Sequence, residues 1–102
     1  MSGTPESRNN VTELFANRDE PISIFLPSNP TTGYSWEAEY DRDALFLLDR
    51  RYGSQSSLIG AGGTETFTFK VRSKGDFLIV LRLRRPWENK EIETCRYMVH
   101  SV

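Results

Sequence analysis

Residues 22–40 read Ile-Ser-Ile-Phe-Leu-Pro-Ser-Asn-Pro-Thr-Thr-Gly-Tyr-Ser-Trp-Glu-Ala-Glu-Tyr, and this stretch decides the fold class. At its two ends, 22–26 and 34–40, apolar and polar residues alternate, which is the pattern of β-strands with one buried face. The segment between them contains Pro30, which fixes its own φ, and Gly33, which permits a positive φ. The stretch therefore predicts two strands joined by a stiff, polar loop.

The rest of the chain repeats this pattern. Residues 67–71 and 92–102 alternate, and 77–83 are nearly all apolar, which is typical of a central strand covered on both faces. A short apolar run at 45–48 suits either a strand or one helical turn, and the turn residues at 73–76 favour a hairpin. No segment has helical periodicity with caps. Short strands at regular spacing predict an all-β sandwich or barrel.

The length of 102 residues suits one domain. We expect residues 1–18 to form a flexible N-terminal tail that includes a candidate first strand near Val11–Phe15, and residues 19–102 to form a single β-sandwich domain. Aromatic side chains are expected to fill much of the core: Phe15, Phe25, Trp36, Tyr40, Phe46, Phe67, Phe69, Phe77 and Tyr97.

Composition argues against several classes of protein. The net charge of −1 creates no field that would drive the chain onto nucleic acid or an anionic membrane. No run approaches the ~18 apolar residues of a membrane-spanning helix, and the N-terminus lacks an apolar signal core. We therefore expect a soluble protein, cytoplasmic as written unless a signal peptide has been removed. Cys95 and His100 are single residues of their types, so we expect no disulfide, metal or cofactor.

Three unusual connections are predicted to share one end of the sandwich. If each strand reverses the direction of the one before it, connections alternate between the two ends. The first loop (27–33), the second loop (51–63) and the third loop (85–90) then lie together, and the charged turns at 41–44 and 73–76 lie opposite. Loops clustered on a rigid sandwich commonly carry binding function.

Each loop has its own chemistry. In the first, Pro30 stiffens the backbone and Gly33 permits the positive φ that closes the loop, so that two threonines are held out, although a plain turn has the same composition. The second, Leu58-Ile59-Gly60-Ala61-Gly62-Gly63, lacks the Lys-Ser/Thr and the helix of a phosphate site, so it favours presentation of its aliphatic side chains to a partner. In the third, Trp87 is either a binding hot spot or a residue that folds back to cap the end of the barrel.

The order Asn-Pro-Thr-Thr-Gly-Tyr, Gly-x-Gly-Gly, Arg-Pro-Trp resembles the chagasin-type inhibitors of papain-like cysteine peptidases, over about residues 20–100. That resemblance implies an immunoglobulin-like antiparallel β-sandwich of about seven or eight strands. It implies a reversible, tight-binding inhibitor, not an enzyme, that acts as a monomer. The implied partner is a papain-like cysteine peptidase, either cathepsin L-like or a parasite or bacterial relative.

The resemblance also implies a set of peptidase-binding residues. The first loop would wedge into the catalytic cleft with Thr31 at its tip, and Tyr34 would anchor it from below. The second would lie along the non-primed side of the cleft, and the third would reach the other flank. The residues are Asn29, Pro30, Thr31, Thr32, Gly33, Tyr34, Leu58, Ile59, Gly60, Ala61, Gly62, Gly63, Arg85, Pro86 and Trp87.

Two other classes compete with the inhibitor. A thiol enzyme would need Cys95 and His100 as a dyad, but five residues along one predicted strand place them on opposite faces and roughly 16 Å apart. A generic β-sandwich binding module for another protein or a polymeric ligand is the alternative. For nucleic acid, a basic cluster at Arg82, Arg84 and Arg85 stands near Trp87, but the slightly negative net charge opposes it.

Overall fold

The computed structural model describes residues 11–54 and 62–102, and this part of the chain is built almost entirely from β-strands. A single-turn 3₁₀ helix at Pro30–Thr32 interrupts them. The strands are β1 Thr12–Ala16, β2 Pro21–Ser28, β3 Ser35–Glu39, β4 Leu45–Ser54, β5 Gly63–Val71, β6 Gly75–Arg84 and β7 Glu93–Ser101. The all-β prediction is confirmed, and among the described residues no helix is long and apolar enough to cross a membrane.

The strands form two sheets that pack face to face. One sheet has the order β1-β7-β6-β3, and the other has the order β2-β5-β4. Each pairing is antiparallel except that between β1 and β7, which is parallel. No short hairpin links β1 to β7, since they lie at opposite ends of the chain, and their relative direction is therefore free of that constraint.

The core lies between the two sheets and follows the predicted alternation on most strands. Ile24 and Leu26 on β2, Trp36 on β3, and Phe67 and Phe69 on β5 are buried. On β7 the predicted alternation is also confirmed, because the side chains of Cys95, Tyr97 and Val99 face inward.

Three aromatic side chains expected in the core lie outside it. Phe15 is 74% exposed, and Phe25 and Phe46 are also exposed. The reason is parity: Phe25 sits between Ile24 and Leu26, which face inward, so its own side chain must point to the opposite face of the sheet. The expectation for these three residues was wrong.

The second loop is shorter than expected. The apolar run at 45–48 begins a ten-residue strand, β4, that continues through Ser54, with a register shift between Leu47 and Asp49. Residues 51–54 therefore belong to the ladder with β5 and not to a loop, and the helical-turn alternative for 45–48 is wrong. The prediction of a loop at 51–54 was wrong because polar residues also occur on the exposed face of an edge strand.

Two expectations about β6 also need correction. The turn at 73–76 joins β5 in one sheet to β6 in the other, so it crosses between sheets and forms no hairpin. β6 does occupy a central position, between β7 and β3. Its outer face, however, is partly open, because Leu78 is exposed even though Val80 is covered.

The predicted clustering of the three loops is confirmed by the register. Ser28 at the end of β2 pairs with Gly63 at the start of β5, and Gly63 also pairs with Ser54. In the other sheet, the end of β6 pairs with the starts of β3 and β7. The structure therefore bounds the first loop at 29–34, the second at 55–62 and the third at 85–92, all at one end of the sandwich.

Candidate functional site

The first loop is held by its own hydrogen bonds. Asn29 precedes the 3₁₀ turn, and its Oδ1 accepts hydrogen bonds from the Thr31 amide at 3.3 Å and the Thr31 hydroxyl at 2.6 Å. The Thr32 hydroxyl donates to the Asn29 carbonyl at 2.8 Å. Gly33 closes the turn at φ +85°, in the left-handed region that the sequence predicted for it, and its amide donates to Pro30 O at 3.0 Å.

The two threonines are exposed, but their hydroxyls are not presented to solvent as free donors. Each hydroxyl donates back into the loop, to the side chain or the carbonyl of Asn29. This differs from the expectation of side chains simply held out. A partner would meet a compact turn whose polar groups are already largely satisfied, which lowers the cost of desolvating them.

A buried tryptophan closes the base of the first loop. Trp36 on β3 has no exposed surface, and its indole Nε1–H donates to the carbonyl of Pro27 on β2 at 3.0 Å. This bond runs between the two sheets and spans the loop. Sequence reasoning placed Trp36 in the core but missed this role, although a buried indole N–H usually requires a partner.

The third loop is coupled to the first through Arg85. The guanidinium of Arg85 lies 4.3 Å from the centroid of the Tyr34 ring and 5.8 Å from that of Trp87. Its Nε–H donates to the carbonyl of Thr32 at 3.2 Å. Arg85 was expected as a contact on the flank of the site, but the structure places it between the two loops, where it orders both.

Trp87 projects from the third loop. It is 70% exposed, so it does not fold back to cap the end of the sandwich. A Cβ atom built on Gly33 would lie 2.9 Å from Cη2 of Trp87, so the far edge of the indole rests near the first loop. Pro86 beside it is exposed as well. An exposed tryptophan on a braced loop is a common form of binding hot spot.

An open groove of about 660 Å³ lies between the first loop and the start of β7. Pro27, Tyr34, Leu83, Arg85 and Ile92 contribute to its walls. Ile92 is exposed, although it is a large aliphatic residue. Sequence reasoning assigned Ile92 to a strand and missed the groove; the available signal was an isolated apolar residue just after the charged pair Lys90-Glu91.

Only the C-terminal part of the second loop is described. Leu58, Ile59, Gly60 and Ala61, which the resemblance implies as contacts, lie outside the described residues. Gly62 adopts φ +82°, and a Cβ atom there would lie 3.2 Å from the carbonyl oxygen of Ser28. Gly63 pairs with Ser28. The second loop therefore rejoins the sandwich beside the start of the first.

The residues that suggested a thiol enzyme or a nucleic-acid-binding module have structural roles in the sandwich. Cys95 and His100 both lie on β7, where burial raises the pKa of the Cys95 thiol and Glu93 raises it further, which disfavours a thiolate nucleophile. Arg82 and Arg84 pair across strands with Glu39 at 2.5 Å and Glu37 at 3.0 Å. Two of the three cations suggested for nucleic acid are therefore already neutralised.

Residues 16–100 match the sequence profile of the chagasin family peptidase inhibitor I42. The chain belongs to the chagasin family of peptidase inhibitors. It is 36% identical over 87 residues to chagasin of Trypanosoma cruzi, with 79% of each chain covered. It is 33% identical over 84 residues to amoebiasin-2 of Entamoeba histolytica, with 79% of this chain and 68% of the relative covered.

A solved structure supports the same assignment. The cysteine protease inhibitor EhICP2 from Entamoeba histolytica superposes with a TM-score of 0.81 at 26% sequence identity, covering 93% of this chain and 90% of the other. The resemblance stated from the sequence is confirmed, together with the sandwich fold, and the chagasin family is one of inhibitors and not of enzymes. The matched range contains all three loops.

Proposed function

We propose that this protein is a reversible, tight-binding inhibitor of papain-like cysteine peptidases and that it blocks their active-site cleft with the three loops at one end of the sandwich. The observation that carries the proposal is the bracing of the first loop by the third. Arg85 donates to the Thr32 carbonyl and lies over Tyr34, so the first and third loops are held together as one edge at the end of the sandwich. An edge of braced loops suits a groove-shaped target.

The physical properties of this edge favour tight binding. The first loop is ordered by its own hydrogen bonds and by the Trp36–Pro27 bond at its base, so it has little conformational entropy left to lose on binding. Peptidase–inhibitor complexes bury on the order of 1,600 Å² in total and are among the tightest known. Preorganisation of this kind is expected to appear as slow dissociation.

Each loop then has a role. Residues 29–33 cover the peptidase's nucleophile and its histidine without offering a properly aligned scissile bond, so inhibition is non-covalent. The backbone of 58–63 lies along the non-primed side, with Leu58 or Ile59 near an apolar pocket. Pro86 and Trp87 contact the opposite flank, while Arg85 supports them. The protein acts as a monomer, and its targets are cathepsin L-like peptidases or their parasite and bacterial relatives.

A direct inhibition assay tests the proposal. Purified protein is titrated against papain and a cathepsin L-like peptidase with a fluorogenic substrate, and trypsin serves as the control of a different peptidase class. We expect stoichiometric inhibition of the cysteine peptidases, recovery of activity after large dilution, and no effect on trypsin. Papain whose catalytic cysteine has been alkylated by a small reagent tests the non-covalent mechanism, because it should still bind in calorimetry. Full activity of both cysteine peptidases at micromolar excess of a folded protein would refute the proposal.

A further inference from the structure

An ion pair with one buried partner lies in the strands that carry the second loop. Glu65 on β5 is 7% exposed and is the one charged residue classed as buried among residues 11–54 and 62–102. Its carboxylate pairs with Nε of Arg50 on the edge strand β4, whose side chain is 42% exposed. The Arg50 guanidinium also lies 4.9 Å from the centroid of the Phe67 ring, so a ring contact and an ion pair both restrain its position.

Arg50 also reaches the other sheet. Its Nη2 donates to the main-chain carbonyl of Trp36 on β3 at 2.8 Å. The indole of Trp36 in turn donates to the Pro27 carbonyl at 3.0 Å, at the base of the first loop. A continuous set of polar contacts therefore runs from the strands of the second loop to both strands that flank the first.

Stability alone is a weak reason for this arrangement. Burial of the Glu65 carboxylate costs desolvation free energy that offsets much of its attraction to Arg50, and Arg50 itself is partly exposed to solvent, which screens the pair. A guanidinium, in contrast, has directional donors in a rigid plane, so it can fix the relative placement of the carboxylate and the carbonyl that it binds. The contacts therefore define geometry more than they add free energy.

We infer that Arg50, held by Glu65, is a positioning residue for inhibition. It keeps the strands that carry the second loop in register with the base of the first loop, so that both reach one cleft together. Arg50 lies on a strand and not on a loop, and it acts without contact with the peptidase. This inference rests on the proposed inhibitory function and adds a residue outside the three loops to it.

The test separates position from stability. In Arg50→Met/Glu65→Met the charges are removed together, so no buried charge is left unpaired and the free energy of unfolding should stay close to the wild-type value. Arg50→Lys keeps a cation beside Glu65 but lacks the second directional donor to Trp36. We expect the inhibition constant of both variants for papain to rise about tenfold.

Controls distinguish this role from general loosening of the fold. Val99→Ala removes core volume from β7 near the end opposite the loops, and it should lower the melting temperature while leaving the inhibition constant unchanged. Hydrogen exchange of the Trp36 indole N–H should quicken in Arg50→Lys and remain slow in Val99→Ala. An unchanged inhibition constant in folded Arg50→Lys, measured where the wild type inhibits, would overturn the inference. Failure of the wild type itself to inhibit would instead refute the proposed function.

Discussion

A Cβ atom on Gly33 would approach Cη2 of Trp87 to 2.9 Å, so the C-terminal end of the first loop and the exposed indole of the third lie side by side. Gly33 supplies a positive φ that closes the 3₁₀ turn, and its missing side chain leaves space for the indole. The two loops are therefore complementary in shape as well as linked through Arg85.

The first prediction concerns Gly33→Ala. An alanine at φ +85° is strained by about 1–2 kcal/mol, and its methyl group would push the indole of Trp87 away from the first loop. We expect weaker inhibition of papain together with a small loss of stability. Gly53→Ala is the matched control, since a Cβ atom there meets nothing within 4 Å. Equal inhibition constants for the two variants would contradict the prediction.

The second prediction separates binding from stability at Trp87. Because Trp87 is 70% exposed, Trp87→Ala should leave the melting temperature almost unchanged. If the indole is a hot spot, the variant should lose about 2 kcal/mol or more of binding free energy. Titration calorimetry and thermal unfolding of the same samples measure both quantities. A large fall in melting temperature with unchanged affinity would assign Trp87 a structural role instead.

The third prediction tests the planar side chain of Arg85. Arg85→Lys keeps the positive charge but cannot both cover the Tyr34 ring and donate sideways to the Thr32 carbonyl. We expect about 1 kcal/mol of lost binding free energy, seen mainly as a faster dissociation rate in surface plasmon resonance. Arg42→Lys is a matched control, because Arg42 lies over Tyr40 at 5.0 Å in the opposite half of the sandwich. If both variants dissociate at the wild-type rate, Arg85 does not order the loops.

The fourth prediction concerns pH and lies at the other end of the molecule. Nδ1 of His100 on β7 lies 2.7 Å from Oδ1 of Asp76 on β6, and Nε2 lies 3.0 Å from Oε1 of Glu13 on β1. Phe15 stacks on the same ring at 4.9 Å, and Glu20 lines the adjacent cleft. The hydrogen bonds to Asp76 and then to Glu13 raise the pKa of His100 above its ordinary value.

The direction of that shift determines the sign of the pH dependence. A raised folded-state pKa means that protonated His100 stabilises the fold fully below its unfolded-state pKa of about 6.5, and that this contribution is lost as pH rises through the folded-state value. The stability of His100→Gln should not show this decrease with rising pH. We expect the difference in melting temperature between wild type and variant to shrink on going from about pH 5.5 to about pH 9. A difference in melting temperature that stays constant over this pH range would show that protonated His100 does not stabilise the fold.

Local patterns were enough to predict much of this protein. Alternation identified the strands around Ile24, Trp36 and Phe69, because burial of one face imposes a period of two on the sequence. Gly33 was predicted at positive φ because that demand is local to the turn. The meeting of the three loops at one end followed from counting chain reversals, which needs no knowledge of which strands pair.

Other features depended on contacts between distant residues. Their apolar side chains suggested that three aromatic residues belong to the core, namely Phe15, Phe25 and Phe46. Each of them instead occupies a strand position whose side chain points to the outer face of its sheet, and is exposed. The polar residues after Leu48 suggested a loop, but they pair with β5 and therefore belong to strand β4. A single residue's chemistry cannot report the register of its strand, which is set by all the pairs along the ladder.

The sequence by itself therefore determined the all-β class, the motif loops and their shared end, since periodicity, turn chemistry and chain reversal are properties of neighbouring residues. Only the tertiary structure decided which sheet each strand joins, that β1 runs parallel to β7, and that Arg85, Trp36 and Arg50 support the loops. These contacts join residues far apart in the chain, and their partners become defined only when two sheets pack at a fixed register and distance.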